Sequence, residues 1–171
     1  SCRRTFLACA GLQGMINQLT CSLRQARIAA AALANIMQGD ADDVKLTRYL
    51  TRKLGGIEII MQILNRELFP HGTTAEDDEL WINVIINAVG ALAMIGASNT
   101  MNQRHIREVG GVAALVHILS TYVNDGPSRI SKCVTLALGN LIAGNLENKA
   151  VVCALNGHQH LLTLLMQSAE I

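Results

Sequence analysis

The sequence predicts an all-helical protein, and three observations support this prediction. Half of the 171 residues are apolar and only 16% are charged, so the chain can bury a sizeable core. Aromatic residues make up 3% and proline occurs twice, a composition that suits closely stacked helices better than a β-sandwich. One stretch also recurs three times, as ALANIMQGD from Ala32, ALAMIGASN from Ala91 and ALGNLIAGN from Ala137. Such recurrence is typical of helical repeats.

A glycine followed by an amphipathic helix is a second recurring feature. It occurs as AGLQGMINQL, GGIEIIMQIL, GGVAALVHIL and NGHQHLLTLL. The spacing between Gly11, Gly56, Gly111 and Gly157 is 45, 55 and 46 residues, close to the roughly 40 to 47 of HEAT and armadillo repeats. Because glycine tolerates positive φ cheaply, we expect each of these sites to turn the chain between a first and a second helix.

These features divide a single domain, residues 1–171, into four units. A complete unit has a short first helix, a second helix and a long third helix. The units are 1–39, 40–98, 99–144 and an incomplete one, 145–171. We expect an excerpt of a longer solenoid, because the second helix that carries Leu161 and Leu165 has no third helix after it. Self-association or fraying at this end is therefore expected.

The extra length of the second unit lies in the segment FPHGTTAEDDE, residues 69–79. Its proline, glycine and acidic residues predict an exposed surface loop between the second and third helices. The acidic residues 76–79 also raise the possibility of an internal competitor for a basic binding surface, since tethering would give them a high effective concentration.

The order TMNQRHIREVGGVAALVHIL…SRISKCVTLALGNLIAGNLENKAVVCALNG combines a polar first helix, a Gly-Gly turn, an aliphatic second helix and an A-L-x-N-L third helix. It resembles armadillo repeats, and the resemblance extends over essentially the whole chain. HEAT repeats are the nearest alternative, but they lack the short first helix. The segment is also similar to the armadillo domains of catenin-type and adenomatous polyposis coli-type scaffolds. The resemblance implies a right-handed α-solenoid of about three to four repeats.

The resemblance also implies a binding surface on the third helices, which line a concave groove in armadillo proteins. The asparagine of A-L-x-N-L holds the backbone of an extended peptide there. The matching residues are Asn35, Met94 and Asn140, so we expect Asn35 and Asn140 to capture a ligand backbone and Met94 to interrupt the row. The tryptophan of the nuclear import receptors is missing, because the matching residues are Ala31, Gly90 and Leu136.

Basic residues precede these positions on the same helical face. Helical periodicity aligns residues two and three turns earlier, which are Arg24 and Arg27 in unit one, Asn83 and Ile86 in unit two, and Arg129 and Lys132 in unit three. We expect a positive groove for an acidic segment. The alternative interpretation is that these residues are solvated ends of amphipathic helices.

The sequence predicts no catalytic, metal or cofactor site. His158 and His160 fall on different sides of a helix and no cysteine or acidic partner is near them in sequence. The acidic residues 76–79 do not match a calcium-binding loop, and no Walker, dinucleotide or G-x-S-x-G motif occurs. We therefore expect a non-catalytic scaffold or adaptor that binds a protein or an extended acidic peptide.

Two other functions remain open. The solenoid could be the regulatory arm of a larger enzyme, or the basic residues could bind nucleic acid, although few aromatic side chains are present for base stacking. The five cysteines form no C-x-x-C pair and predict buried free thiols in a reducing compartment. The apolar segment Ile82–Ala97 is shorter than a membrane span and predicts a buried helix. We expect an intracellular protein of the cytoplasm, with the nucleus as a second location.

Overall fold

The computed structural model describes residues 2–39, 41–65, 75–125 and 128–169, and it describes the backbone alone for residues 2–9, 75–77 and 125. These residues form ten α-helices and one short 3₁₀ helix, Val123–Asp125. The α-helices are α1 Cys2–Gln18, α2 Leu23–Ile36, α3 Asp42–Lys53, α4 Gly56–Leu64, α5 Ala75–Gly96, α6 Thr100–Glu108, α7 Gly111–Tyr122, α8 Arg129–Ile142, α9 Leu146–Ala154 and α10 Gly157–Ala169. The prediction of an all-helical protein is confirmed.

The helices follow the predicted repeat. Helices α3, α4 and α5 form one three-helix unit, α6, α7 and α8 form the next, and α9 and α10 repeat the first two positions of a unit. The third helices are α2, α5 and α8. The most extensive contacts between helices join α5 to α2 on one side and to α8 on the other. The chain is therefore a repeat-like stack of helices with α5 at its centre.

The paired residues at the turn between first and second helices have two separate roles. Gly55 and Gly110 adopt φ of 76° and 83°, and Asn156 adopts 57° at the corresponding place in the last unit. Asparagine is one of the few other residues that visit this left-handed region routinely. The glycine that follows each of them begins the second helix at a close approach, since a Cβ on Gly111 would lie 2.5 Å from Ile106 Cγ2.

The first unit departs from this scheme. Gly11 lies inside the continuous helix α1, Cys2–Gln18, and a Cβ there would meet no atom within 4 Å. The prediction of a turn at Gly11 is therefore wrong. The reason lies in the residue before it: Ala10 stands where the other units have glycine or asparagine, and alanine adopts positive φ only at a cost of about 1–2 kcal/mol.

The acidic run does not lie in a loop. Helix α5 begins at Ala75, so residues 76–79 belong to its first turns, and the predicted loop is wrong for residues 75–79. Carboxylates are favourable at this place because the helix dipole is positive at its N-terminus. The rest of the predicted loop, residues 69–74, lies outside the described residues.

Buried asparagines join the first helices α6 and α9 to their neighbours. Asn102 is fully buried, and its Nδ2 donates to the carbonyl oxygens of Arg48 at 3.2 Å and Ile95 at 2.9 Å, while its Oδ1 accepts from Arg52 Nε at 2.7 Å. One side chain thereby connects the end of α5 with helix α3 of the same unit. The sequence analysis assigned Asn102 no role.

The same arrangement recurs one unit later at Asn148. Its Nδ2 donates to the carbonyl oxygens of Leu141 at 2.8 Å and Gln103 at 3.3 Å, and its Oδ1 accepts from Arg107 Nη1 at 3.1 Å. Both asparagines follow another asparagine by three residues, in the patterns NTMN and NLEN, and the earlier asparagine caps the helix through its side-chain oxygen. The repeated N-x-x-N pattern is the sequence signal for this junction.

Helix α5 carries the most apolar segment among the described residues. Asp78–Gly96 spans 19 residues with a mean hydropathy of 1.6, so it is long and apolar enough to cross a membrane by length and composition alone. The helix extends beyond Ile82–Ala97 at its N-terminal end, so its length alone does not exclude a membrane span. Within the fold, 56% of this segment is buried, and the core helix of a soluble protein meets the same criteria.

The cysteines differ from the sequence expectation. Cys21 and Cys153 are exposed, Cys133 is half-buried, and the side chains of Cys2 and Cys9 lie outside the described residues. The expectation of buried thiols is therefore wrong for Cys21 and Cys153. Cys21 lies just past the end of α1, and Cys153 follows the buried Val152 on α9 with its own side chain exposed.

Candidate partner-binding surface

The exposed faces of the third helices α2, α5 and α8 form one continuous surface, because side chains tie these helices side by side. Asn87 Nδ2 on α5 donates to the carbonyl oxygen of Arg27 on α2 at 3.1 Å. At the corresponding position of the next unit, Cys133 Sγ on α8 donates to the carbonyl oxygen of Ile86 on α5 at 3.3 Å. Burial raises the pKa of the Cys133 thiol, which keeps the donor protonated.

Basic residues from two helices converge near the N-terminal half of α5. Arg24 and Arg27 on α2 line a cavity of about 380 Å³ together with Asn83 on α5. From the other side, Arg129 on α8 donates from Nη2 to Asn83 Oδ1 at 3.1 Å. The structure therefore brings together four predicted site residues. We call Arg24, Arg27 and Arg129 the basic cluster.

Two apolar residues and one acidic residue also line the cavity beside the basic cluster. Ile28 contributes an exposed side chain, and Leu80 lines the cavity from α5. Glu79, in the first turns of α5, lines the same cavity as Arg24 and Arg27. The sequence analysis missed Ile28 and Leu80 because their exposure depends on how closely α2 and α5 approach. It placed Glu79 in a loop, whereas helix α5 fixes it beside the cations.

The two asparagines predicted to capture a ligand backbone lie on α2 and α8, on either side of α5. Asn35 is exposed, and its Oδ1 accepts from Gln38 Nε2 at 3.3 Å on the same chain segment. Asn140 Nδ2 donates to the carbonyl oxygen of Ala93 on α5 at 3.4 Å. An amide group has two N–H donors, so this bond leaves Asn140 one further donor. Met94 is half-buried on α5 between them.

Lys132 is separate from the basic cluster. Its side chain lines a different cavity, between α8 and α10, together with the leucines of α10. Arg24 and Arg27 therefore line one cavity, and Lys132 lines another. The repeat aligns Lys132 with Arg27, but Arg27 lines the cavity between α2 and α5, whereas Lys132 lines the cavity between α8 and α10.

Groups that could perform chemistry are sparse in the part of the chain that the structure describes. No group of three or more His, Cys, Asp or Glu side chains there is arranged to hold a metal ion. One acid–base pair joins two units, with His105 Nε2 lying 2.6 Å from Glu58 Oε1. The pair links α6 to α4, and no hydrogen bond among the described residues connects it to a nucleophilic side chain.

Comparison with protein-family models and with curated proteins gives no match. Among solved structures, the chain is similar to the crystal structure of an engineered protein, a target of the Northeast Structural Genomics Consortium. The two chains are 17% identical, the alignment covers 91% of this chain and 89% of that one, and the TM-score is 0.42. A likeness at this level carries no argument about fold family or function.

Proposed function

We propose that the chain is a non-catalytic interaction module, an armadillo-type right-handed solenoid, whose third-helix surface binds an extended acidic segment of another protein. The observation that carries the proposal is the basic cluster, in which α2 and α8 direct arginines toward the same part of α5. Three cations on one part of the surface favour an anionic ligand. The helical repeat further supports an extended ligand, because successive third helices present equivalent positions in a row.

The mechanism is recognition along a rigid row of helices. Carboxylates of the ligand pair with Arg27 and Arg129, and an apolar ligand side chain enters the cavity between Ile28 and Leu80. Asn35 and Asn140 hydrogen-bond the ligand backbone further along α2 and α8. Because the interhelical hydrogen bonds hold the surface in place before binding, little ordering entropy is lost on the protein side.

The position of Glu79 gives further support to the proposal of an acidic ligand. It already places one carboxylate in the cavity beside Arg24 and Arg27. An incoming acidic ligand competes with this group, so the α5 N-terminus acts as an internal competitor that moderates affinity. On this view Glu79→Gln tightens the binding of acidic peptides.

The experiment that tests the proposal is selection from a displayed library of random peptides of about twelve residues, roughly the length an extended ligand needs to cross three helices. Enriched peptides are expected to be acidic. Their affinity is measured by fluorescence anisotropy. It is expected to fall more than fivefold for Arg27→Glu combined with Arg129→Glu, which is a larger loss than the roughly 1 kcal/mol that an ordinary exposed ion pair contributes. Binding is also expected to weaken as salt increases.

The matched control is Arg104→Glu combined with Lys149→Glu, which reverses two exposed cations on the first helices α6 and α9. This variant has the same net charge as the test variant, so it is expected to bind the selected peptides as the wild type does. Equal weakening by both variants would reduce the effect to net charge and contradict a specific surface. Selected peptides without excess acid would contradict the proposal directly, and tighter binding of single-stranded oligonucleotides would favour the nucleic-acid alternative.

A further inference from the structure

Asn83, on α5, is the neutral member of a row whose two other members are basic. The corresponding residues are Arg24 on α2 and Arg129 on α8. An arginine at position 83 would add another like charge to this row, and like charges close together repel each other. It would also supply no acceptor, because a guanidinium group only donates hydrogen bonds. The amide group of Asn83 instead brings a donor and an acceptor to the basic cluster without adding charge.

Hydrogen bonds hold the amide group of Asn83 at both ends. Its Nδ2 donates to the carbonyl oxygen of Glu79 at 2.9 Å, and its Oδ1 accepts from Arg129 Nη2 at 3.1 Å. Exchanging the two ends would set the NH₂ group against the guanidinium and the amide oxygen against the carbonyl oxygen. Only one orientation of the amide therefore satisfies both bonds. The backbone of α5 thereby fixes the direction from which the amide oxygen meets Arg129.

The bond to Asn83 orients Arg129 without neutralising it. Arg129 is exposed, and an exposed arginine otherwise samples many rotamers. A guanidinium group has five N–H donors, and this bond engages one of them, so the others can engage an anion. The acceptor is an uncharged oxygen, whereas a carboxylate in its place would form an ion pair with Arg129 and compete with the ligand. Because Asn83 also lines the cavity of Arg27, the bond holds Arg129 beside that cavity.

We propose that Asn83 is a positioning residue, which orders the Arg129 side chain before the acidic ligand binds. This inference rests on the proposed function, because it concerns how the same surface selects its ligand. Binding then costs less side-chain entropy, since the guanidinium of Arg129 is already in place. A fixed Arg129 also narrows the spacings of two ligand carboxylates that can reach both Arg27 and Arg129. Asn83 therefore determines specificity through Arg129.

The first test needs no ligand, because NMR relaxation of the side-chain Nε of arginine reports its order on the picosecond to nanosecond timescale. In the wild-type chain, Arg129 is expected to be more ordered than Arg104, which is exposed on α6. Asn83→Ala is expected to lower the order of Arg129 to that of Arg104. The matched control is Asn87→Ala, which removes another interhelical asparagine of α5 and is expected to leave Arg129 unchanged. Equal order of Arg129 in the wild type and Asn83→Ala would overturn the inference and leave the proposed function standing.

The second test measures the affinity of the acidic peptides that the wild-type chain selects, by fluorescence anisotropy. Asn83→Ala is expected to weaken binding about two- to tenfold, the range that corresponds to ordering one long side chain. In an Arg129→Ala background the same change is expected to have less than about a twofold effect, because Asn83 acts through Arg129. Asn83→Asp is expected to bind more weakly than Asn83→Ala, although it keeps an acceptor, because its carboxylate neutralises Arg129.

The outcomes separate the inference from the proposed function, and circular dichroism verifies that every variant remains helical. Asn83→Ala binding as tightly as the wild type would overturn the inference, and so would equal weakening with and without Arg129, which would show that Asn83 acts by another route. Asn83→Asp binding as tightly as the wild type would overturn the requirement for a neutral acceptor. If Arg27→Glu combined with Arg129→Glu leaves binding unchanged, the proposed function fails, and the role of Asn83 in binding fails with it even where Arg129 is ordered.

Discussion

Asn102→Ala is expected to lower the free energy of unfolding by about 3 kcal/mol, with three hydrogen bonds lost at roughly 1 kcal/mol each. The side chain is fully buried and bonds the carbonyl oxygens of Arg48 and Ile95 and the Nε of Arg52. The alanine side chain can form none of these hydrogen bonds. The three partner groups would then be left without this bond, and a buried polar group without a partner carries its full desolvation cost. Urea unfolding followed by circular dichroism measures the change.

Asn148→Ala is expected to have a similar effect, because Asn148 makes the corresponding bonds one unit later. Asn124→Ala is the control: Asn124 is exposed in the 3₁₀ helix, so its change is expected to stay within about 0.5 kcal/mol. If the free energy of unfolding of Asn102→Ala lies within about 1 kcal/mol of the wild-type value, the buried asparagine does not hold the junction between α3 and α5 as described.

Gly111→Ala is expected to lower the free energy of unfolding by about 2–3 kcal/mol, the cost of overpacking a close contact. The added Cβ would lie 2.5 Å from Ile106 Cγ2 and 2.9 Å from the Ile106 carbonyl oxygen, and the backbone atom cannot move aside as a flexible side chain can. The first and second helices of the unit would have to separate. Thermal and urea unfolding measure the loss.

Gly139→Ala provides the matched control. Gly139 is exposed within α8, and an added Cβ there would meet nothing within 4 Å. Alanine has the higher helix propensity, so this variant is expected to be as stable as the wild type or to gain up to about 1 kcal/mol. Equal stability of the two variants would mean that the paired-glycine turn is not closely packed at its second glycine.

The sequence predicts the helices and their order well because both depend on local signals that repeat. The paired residues Gly55 and Gly56, with their counterparts, mark each turn, and the recurring third-helix motif ends near Gly39, Ser98 and Gly144, all of which adopt positive φ. Where the local signal is incomplete, as at Gly11 after Ala10, the helix continues through it. The acidic residues 76–79 suit a helix N-terminus as well as a loop, so composition could not decide between them.

The candidate site is only partly predictable, since its geometry depends on packing between units. Periodicity aligned Arg24, Arg27, Asn83 and Arg129, and the structure places them together. It could not show that Lys132 lines a separate cavity between α8 and α10. The backbone oxygens that engage Asn87, Cys133 and Asn140 belong to neighbouring helices, so no sequence pattern identifies them.

The central claim, that the third-helix surface binds an extended acidic segment, is tested most directly by hydrogen–deuterium exchange with a selected acidic peptide bound. The account predicts slower exchange in the exposed N-terminal parts of α2, α5 and α8, and no such change in the Arg27→Glu, Arg129→Glu variant at the same peptide concentration. Slower exchange confined to the first helices α3, α6 and α9, with α2, α5 and α8 unchanged, would contradict it.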